Sequence, residues 1–257
     1  MIFLITEILS KYQSLSRKDQ HHRFKSWEHC YKFFLNNYKY LKKADVFDHG
    51  CLHLGFYLVS CGLIDRNSVL LQKDYKVHGY FLANVVMNSE NNAFFEEHEN
   101  GLLDYRSIVG IDNLIADTRK AYQDHIFEMD GQSPIHVTDA LASSILMGVY
   151  GNTPAYNRYL KKGLNLFDIR TQFNEFSIKE LVDFYNQNMD DFHIGGKLFS
   201  NDGVKFTPMK LVDMFFWQIG YMMDQPEMYQ EDMAAVNLFA EQWKSAKKKS
   251  NSVALPV

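Results

Sequence analysis

The chain has 257 residues, 27 basic against 31 acidic, a net charge of -4, and 46% hydrophobic residues of which many are aromatic. That is ample material for a core, and it excludes a global basic field able to hold nucleic acid nonspecifically. Three cysteines, Cys30, Cys51 and Cys61, form no C-x-x-C pair; such a sparse set suits a reducing cytoplasm.

The opening "MIFLITEILSKY" has a short apolar run and no basic leader, so it reads as an amphipathic first helix near 2–14. Apolar periodicity places further helices near 19–37, 46–62 and 67–88. Cys51 and Cys61 lie ten apart within one helical stretch, about 15 Å along its axis, which is too far for a disulfide. The polar "NSENNAFFEEHENG" (88–101) is expected to be a loop with a short helical turn. Helices are then expected near 112–128, 138–149 and 153–163, with "DGQSPIH" (130–136) as a joint between two helical halves. Gly148 and Gly151 would end one helix, Asn152 or Thr153 would cap the next, and Pro154 would sit at its first position.

Ser177 with Glu180 three residues on reads as a capping box. "KLFSNDGVKF" (197–206), with two short runs around Asn201-Asp202-Gly203, predicts a small β-hairpin. Thr207 and Pro208 then open a helix whose apolar run is too short to span a membrane and contains Asp213. Pro226 opens the last helix, with a stripe of Met233, Val236, Phe239, Ala240 and Trp243. The expected fold is all-α: about nine packed helices in a compact domain over 1–246, one hairpin near 197–206, and a flexible basic and polar tail over 247–257.

Candidate chemistry begins with Asp45, His49 and His53, each four residues apart and therefore on roughly one helical stripe. Asp74 and His78 repeat that spacing, and Glu96, Glu97 and His98 follow. Inward-facing carboxylates and histidines of a bundle can hold zinc, manganese or iron, which would activate a water for hydrolysis. Against this, the core stripe is better traced by Phe47, Cys51, Leu54, Leu58 and Cys61, which leaves the histidines beside the apolar face.

Arg119 and His125 in "RKAYQDH" resemble the R-x(4–6)-H signature of helical HEPN ribonucleases, and Arg17 with His22 also fits it. The Gly148–Gly151 turn followed by Lys161 and Lys162 is a candidate phosphate contact in a nucleic-acid binder, although it lacks the usual hairpin core. No nucleotide-binding or nucleophile-elbow motif occurs.

"DHGCLHLGFYLVSCG", "SVLLQKDYKVH" and "GVYGNTPAYNRYLKKGL" together resemble a group of uncharacterised bacterial proteins. An Asp stands in that group's pattern where Asn157 stands here, which weakens a charge-based role for the position. The resemblance implies a bacterial or phage-related cytoplasmic origin and brings no activity with it. The sequence therefore predicts a cytoplasmic helical protein that acts by binding another protein, with no membrane partner. A metal-dependent hydrolase is the first alternative and a nucleic-acid binder the second.

Overall fold

The computed structural model describes residues 4–19, 21–64, 68–95, 109–128, 130–197, 199 and 205–253. Among these residues eleven α-helical segments follow one another: α1 (Leu4–Arg17), α2 (Lys25–Asn37), α3 (Ala44–Ser60), α4 (Gly79–Phe81), α5 (Ile111–Gln123), α6 (Asp139–Val149), α7 (Arg158–Leu166), α8 (Glu175–Gln187), α9 (Met189–Gly196), α10 (Pro208–Met223) and α11 (Gln230–Val253). Among the described residues, no helix is long and apolar enough to cross a membrane.

Local chemistry explains most of the starts. Thr207 caps α10 by accepting the Lys210 N–H at 3.2 Å, with Pro208 in the first turn, as its sequence predicts. Thr138 caps α6 in the same way through Leu141. The expected helix over 67–88 is broken instead. Ser68 and Asp74 turn their side chains onto the N–H groups of Leu70 and Lys76 and start separate 3-10 turns, Val69–Gln72 and Tyr75–His78. Short polar side chains that bond their own backbone compete with a continuing helix. Short α4 and a π-turn, Leu82–Val86, complete that segment.

Several expectations need correction. Among the described residues the helices outnumber the nine expected: α9 follows α8 as a separate helix, while the long 67–88 stretch leaves only short α4 between 3-10 and π turns. No strand occurs among the described residues. Of the expected hairpin, Asn201-Asp202-Gly203 lie outside the described residues, Lys197 and Phe199 continue a helical turn, and 205–207 are irregular. The Ser177–Glu180 capping box is absent, since Asn174 caps α8 and accepts the Ser177 N–H at 3.0 Å. Glu180 is turned to Arg170. Likewise α7 is capped by Asn157, not by Asn152 or Thr153, and Pro154 precedes it by a full turn. Pro226 lies in the turn before α11, which starts at Gln230. That helix runs on through Val253, across the first part of the stretch read as a tail, and Lys247 there is bonded to the Asp168 carbonyl. In the stretch read as a joint, Phe127 and Pro134 form an isolated antiparallel bridge around a turn at Gly131.

The buried apolar side chains form one cluster that draws on every long helix. α6 is buried from Leu141 to Val149 on all sides, as a helix apolar all round must be. Phe167, Phe184, Phe215, Phe216 and Phe239 meet mainly edge to face, the arrangement that ring quadrupoles favour. α7 and α10 cross with their main chains in contact: a Cβ on Gly163 would strike the Phe216 carbonyl, and one on Gly220 the Tyr159 carbonyl. Two glycines from opposite sides make that crossing.

Candidate functional site

The five residues of the candidate metal site are distributed around α3 and the 3-10 turn beside it. Asp45 and His49 are exposed on α3. His53 stacks on the Phe33 ring at 4.4 Å. Burial, followed by the neighbouring imidazoles of His29 and His49, holds it below the usual histidine range. Asp74 accepts the Lys76 N–H and so is committed to capping a turn. His78 is buried, its Nδ1 2.8 Å from the Tyr122 hydroxyl, and burial pushes it down to about 4. His53 thus has the imidazoles of His29 and His49 as its charged neighbours, whereas the His78 ring packs beside Gly55. No group of three or more His, Cys, Asp or Glu converges as metal ligands among the described residues. Glu96, Glu97 and His98 lie outside them.

Most of the candidate nucleic-acid groups are engaged. Arg119 donates to the Val137 carbonyl and to Asp139, both at 2.6 Å, while His125 packs on the Tyr80 ring. Lys161 pairs with the second Asp139 oxygen at 3.2 Å. Lys162 pairs with Asp224, which also takes Arg158. Gly151 has a positive φ and lies against the Tyr31 ring and Thr207, so the Gly turn is packed inward. His22 accepts the Phe24 N–H, and Arg17 lies exposed at the end of α1.

What α3 leaves open is its outer face. Leu52 is 45% exposed, Phe56 68% and Val59 42%, at positions i, i+4 and i+7 of one helix. That spacing sets them on a single stripe. The opposite face is buried through Gly50, Cys51, Leu54, Tyr57 and Leu58. Gly55, on one flank, lies within contact of the His78 ring, which brings the 3-10 turn alongside. From that turn Tyr75, itself 37% exposed, reaches Asp48 with its hydroxyl, and Lys76 pairs with the same carboxylate at 3.4 Å. The turn therefore adds an aromatic ring at the edge of the stripe. Among the other exposed apolar residues, Val109, Phe176 and Leu238 stand on separate elements, which is ordinary for a folded surface.

A second constellation went unseen in the sequence. Lys210 and Asp213, within the apolar run of α10, form a buried ion pair at 2.8 Å. Asp213 also accepts the Ala155 N–H at 3.0 Å, tying the loop before α7 to α10. Burial alone would lower the Lys210 ammonium, but Asp213 more than offsets this and keeps it charged. The one signal was a Lys-x-x-Asp pair inside an otherwise apolar helix, where unpaired charges are expensive.

Comparison with known protein families, with curated proteins and with solved structures finds no match to the chain.

Proposed function

We propose that the protein works by binding another protein through the outer face of α3. The observation that carries this is the Leu52–Phe56–Val59 stripe, apolar and exposed on a helix whose other face is firmly packed. An amphipathic helix or a hydrophobic groove of a partner matches such a stripe, because anchors at i, i+4 and i+7 enter one contiguous apolar strip. About two turns of helix are covered, roughly 10 Å, so the contact suits a short, reversible docking element with Tyr75 at its margin.

The test is a photo-crosslinking residue placed at 56 in the full chain, with one at Leu238 on α11 as the control. Position 56 is expected to give one discrete adduct with a different polypeptide, suppressed by excess wild-type chain but not by Phe56→Asp. Equal adducts from both positions, or none from 56, would sink the reading. An adduct between two copies of the chain would replace the partner with self-association.

A further inference from the structure

A row of aromatic rings runs along one side of α10 and on towards α11. Phe24 meets Trp217 edge to face at 5.3 Å, Trp217 stacks on Tyr221 at 5.3 Å, and Tyr221 meets Tyr229 at 6.4 Å. Tyr159 of α7 closes edge-on against both Trp217 and Tyr221. All five rings are half-buried, so each still shows part of itself to solvent. Met228, beside Tyr229, is 69% exposed. Rings that already brace one another lose little side-chain freedom when covered, and Trp, Tyr and Arg are the residues that most often anchor protein interfaces.

The charges around the row are sorted by position. Beside the rings they are settled: Lys11 lies over the Tyr229 ring and pairs with Asp232 at 3.0 Å, while Arg158, over Tyr159, shares Asp224 with Lys162. At the Phe24 end, the chain from the last turn of α1 to α2 carries Arg17, Lys18 and Arg23, all exposed and without an ion pair among the described residues. Asp19, the one acidic residue between Arg17 and Lys25, accepts the His21 N–H. At the Tyr229 end, Glu227 and Glu231 are exposed and likewise unpaired among the described residues, and no Lys or Arg occurs from 224 to 232. An aromatic centre thus has a basic edge at one end and an acidic edge at the other.

A nucleic acid would meet like charge at the acidic edge, and a basic polypeptide would meet it at the other. A surface charged in this way is complementary to its own copy turned about a two-fold axis, because that axis brings each end of the row onto the opposite end. We propose that this face is the interface of a symmetric dimer, with row packed on row and the basic edge of each copy against the acidic edge of the other. The face belongs to α1, α7, α10 and the segments beside them, not to α3, so it stands whether or not the α3 stripe docks a different protein.

The test is sedimentation velocity of the full chain with paired charge reversals at these exposed positions. At low salt the wild type is expected to sediment as a dimer that dissociates as salt rises, since exposed charges are screened. Lys18→Glu/Arg23→Glu makes both edges acidic, and Glu227→Lys/Glu231→Lys makes both basic. Each pair alone is expected to weaken self-association by about tenfold or more. An equimolar mixture of the two variants is expected to form a heterodimer, which a merely misfolded variant could not do, and the chain with all four changes to dimerise by itself. A wild type that stays monomeric to its solubility limit, reversals that leave its dimer unchanged, or a mixture or fourfold variant that stays monomeric would each overturn the proposal.

Discussion

Arg119 from α5 and Lys161 from α7 close on the two carboxylate oxygens of one residue, Asp139, at 2.6 and 3.2 Å. The same carboxylate accepts the Phe173 N–H, so it joins two helices and the loop before α8 at the start of α6. Residues that the sequence offered for two different kinds of phosphate chemistry are spent on holding helices together. Asp139→Ala is expected to cost about 2 kcal/mol, because it strands two cations and an N–H. Chemical denaturation measures it. Burial raises the Asp139 carboxyl, but Arg119 and its other partners outweigh this and hold it below the ordinary value. Its contribution is therefore complete above the unfolded pKa and is lost as pH falls through the folded one. An unchanged unfolding midpoint in Asp139→Ala would show that the network is ornamental.

His78 gives a second, separate pH dependence. Its folded pKa, about 4, lies below the unfolded value of 6.5, so protonation favours the unfolded chain. Stability is full above pH 6.5 and falls between 6.5 and 4, by up to about 3 kcal/mol for this residue. His78→Gln keeps a polar partner for Tyr122 and should flatten the stability profile over that interval. A variant whose profile still falls as steeply as the wild type would contradict the assignment.

At the α7–α10 crossing, Gly163→Ala and Gly220→Ala each force the helix backbones apart. Overpacking of this kind costs about 1–3 kcal/mol or more, seen as a lower Tm by calorimetry. Alanine normally improves a helix over glycine, so a rise in Tm for either variant would show that the crossing is looser than described.

Asn157 caps α7 through the N–H groups of Tyr159 and Leu160. Asp at this position would cap equally well and favour the helix dipole. Asn157→Asp should leave stability within about 0.5 kcal/mol, whereas Asn157→Ala should lose about 1 kcal/mol. Parallel denaturation curves decide it; a large loss in Asn157→Asp would reveal a role beyond capping.

Helix type and approximate place were legible in the sequence wherever apolar periodicity ran unbroken, as in α3, α6 and α10, and the Thr207–Pro208 start was readable from its own two residues. Legibility failed where competing polar side chains stood close together. Asn174 and Ser177 could each have capped α8, and only tertiary contact decides: Ser177 is buried, bonding the Arg170 carbonyl and the Tyr156 hydroxyl. The spacing of Asp45, His49 and His53 could be read, but not the companions of the stripe. A helical face is defined by what packs beside it, and Phe33, Gly55 and His78 come from sequence positions that pattern alone does not join. The outer stripe was invisible for the converse reason, since an apolar residue in an apolar helix carries no mark of exposure, and only the packing shows Leu52, Phe56 and Val59 left in solvent.

Contact between the main chains of α7 and α10 has a mechanical meaning. Side chains between helices act as compliant spacers that let one helix slide or roll by small steps; at Gly163 and Gly220 no such spacer exists. Asp213 on α10 holds Ala155, and the chain from there runs directly into the Asn157 cap of α7. Crossing, ion pair and cap thus close a short rigid triangle. A displacement of α7 is therefore expected to carry Lys210 and Asp213 with it, so that the two helices shift together.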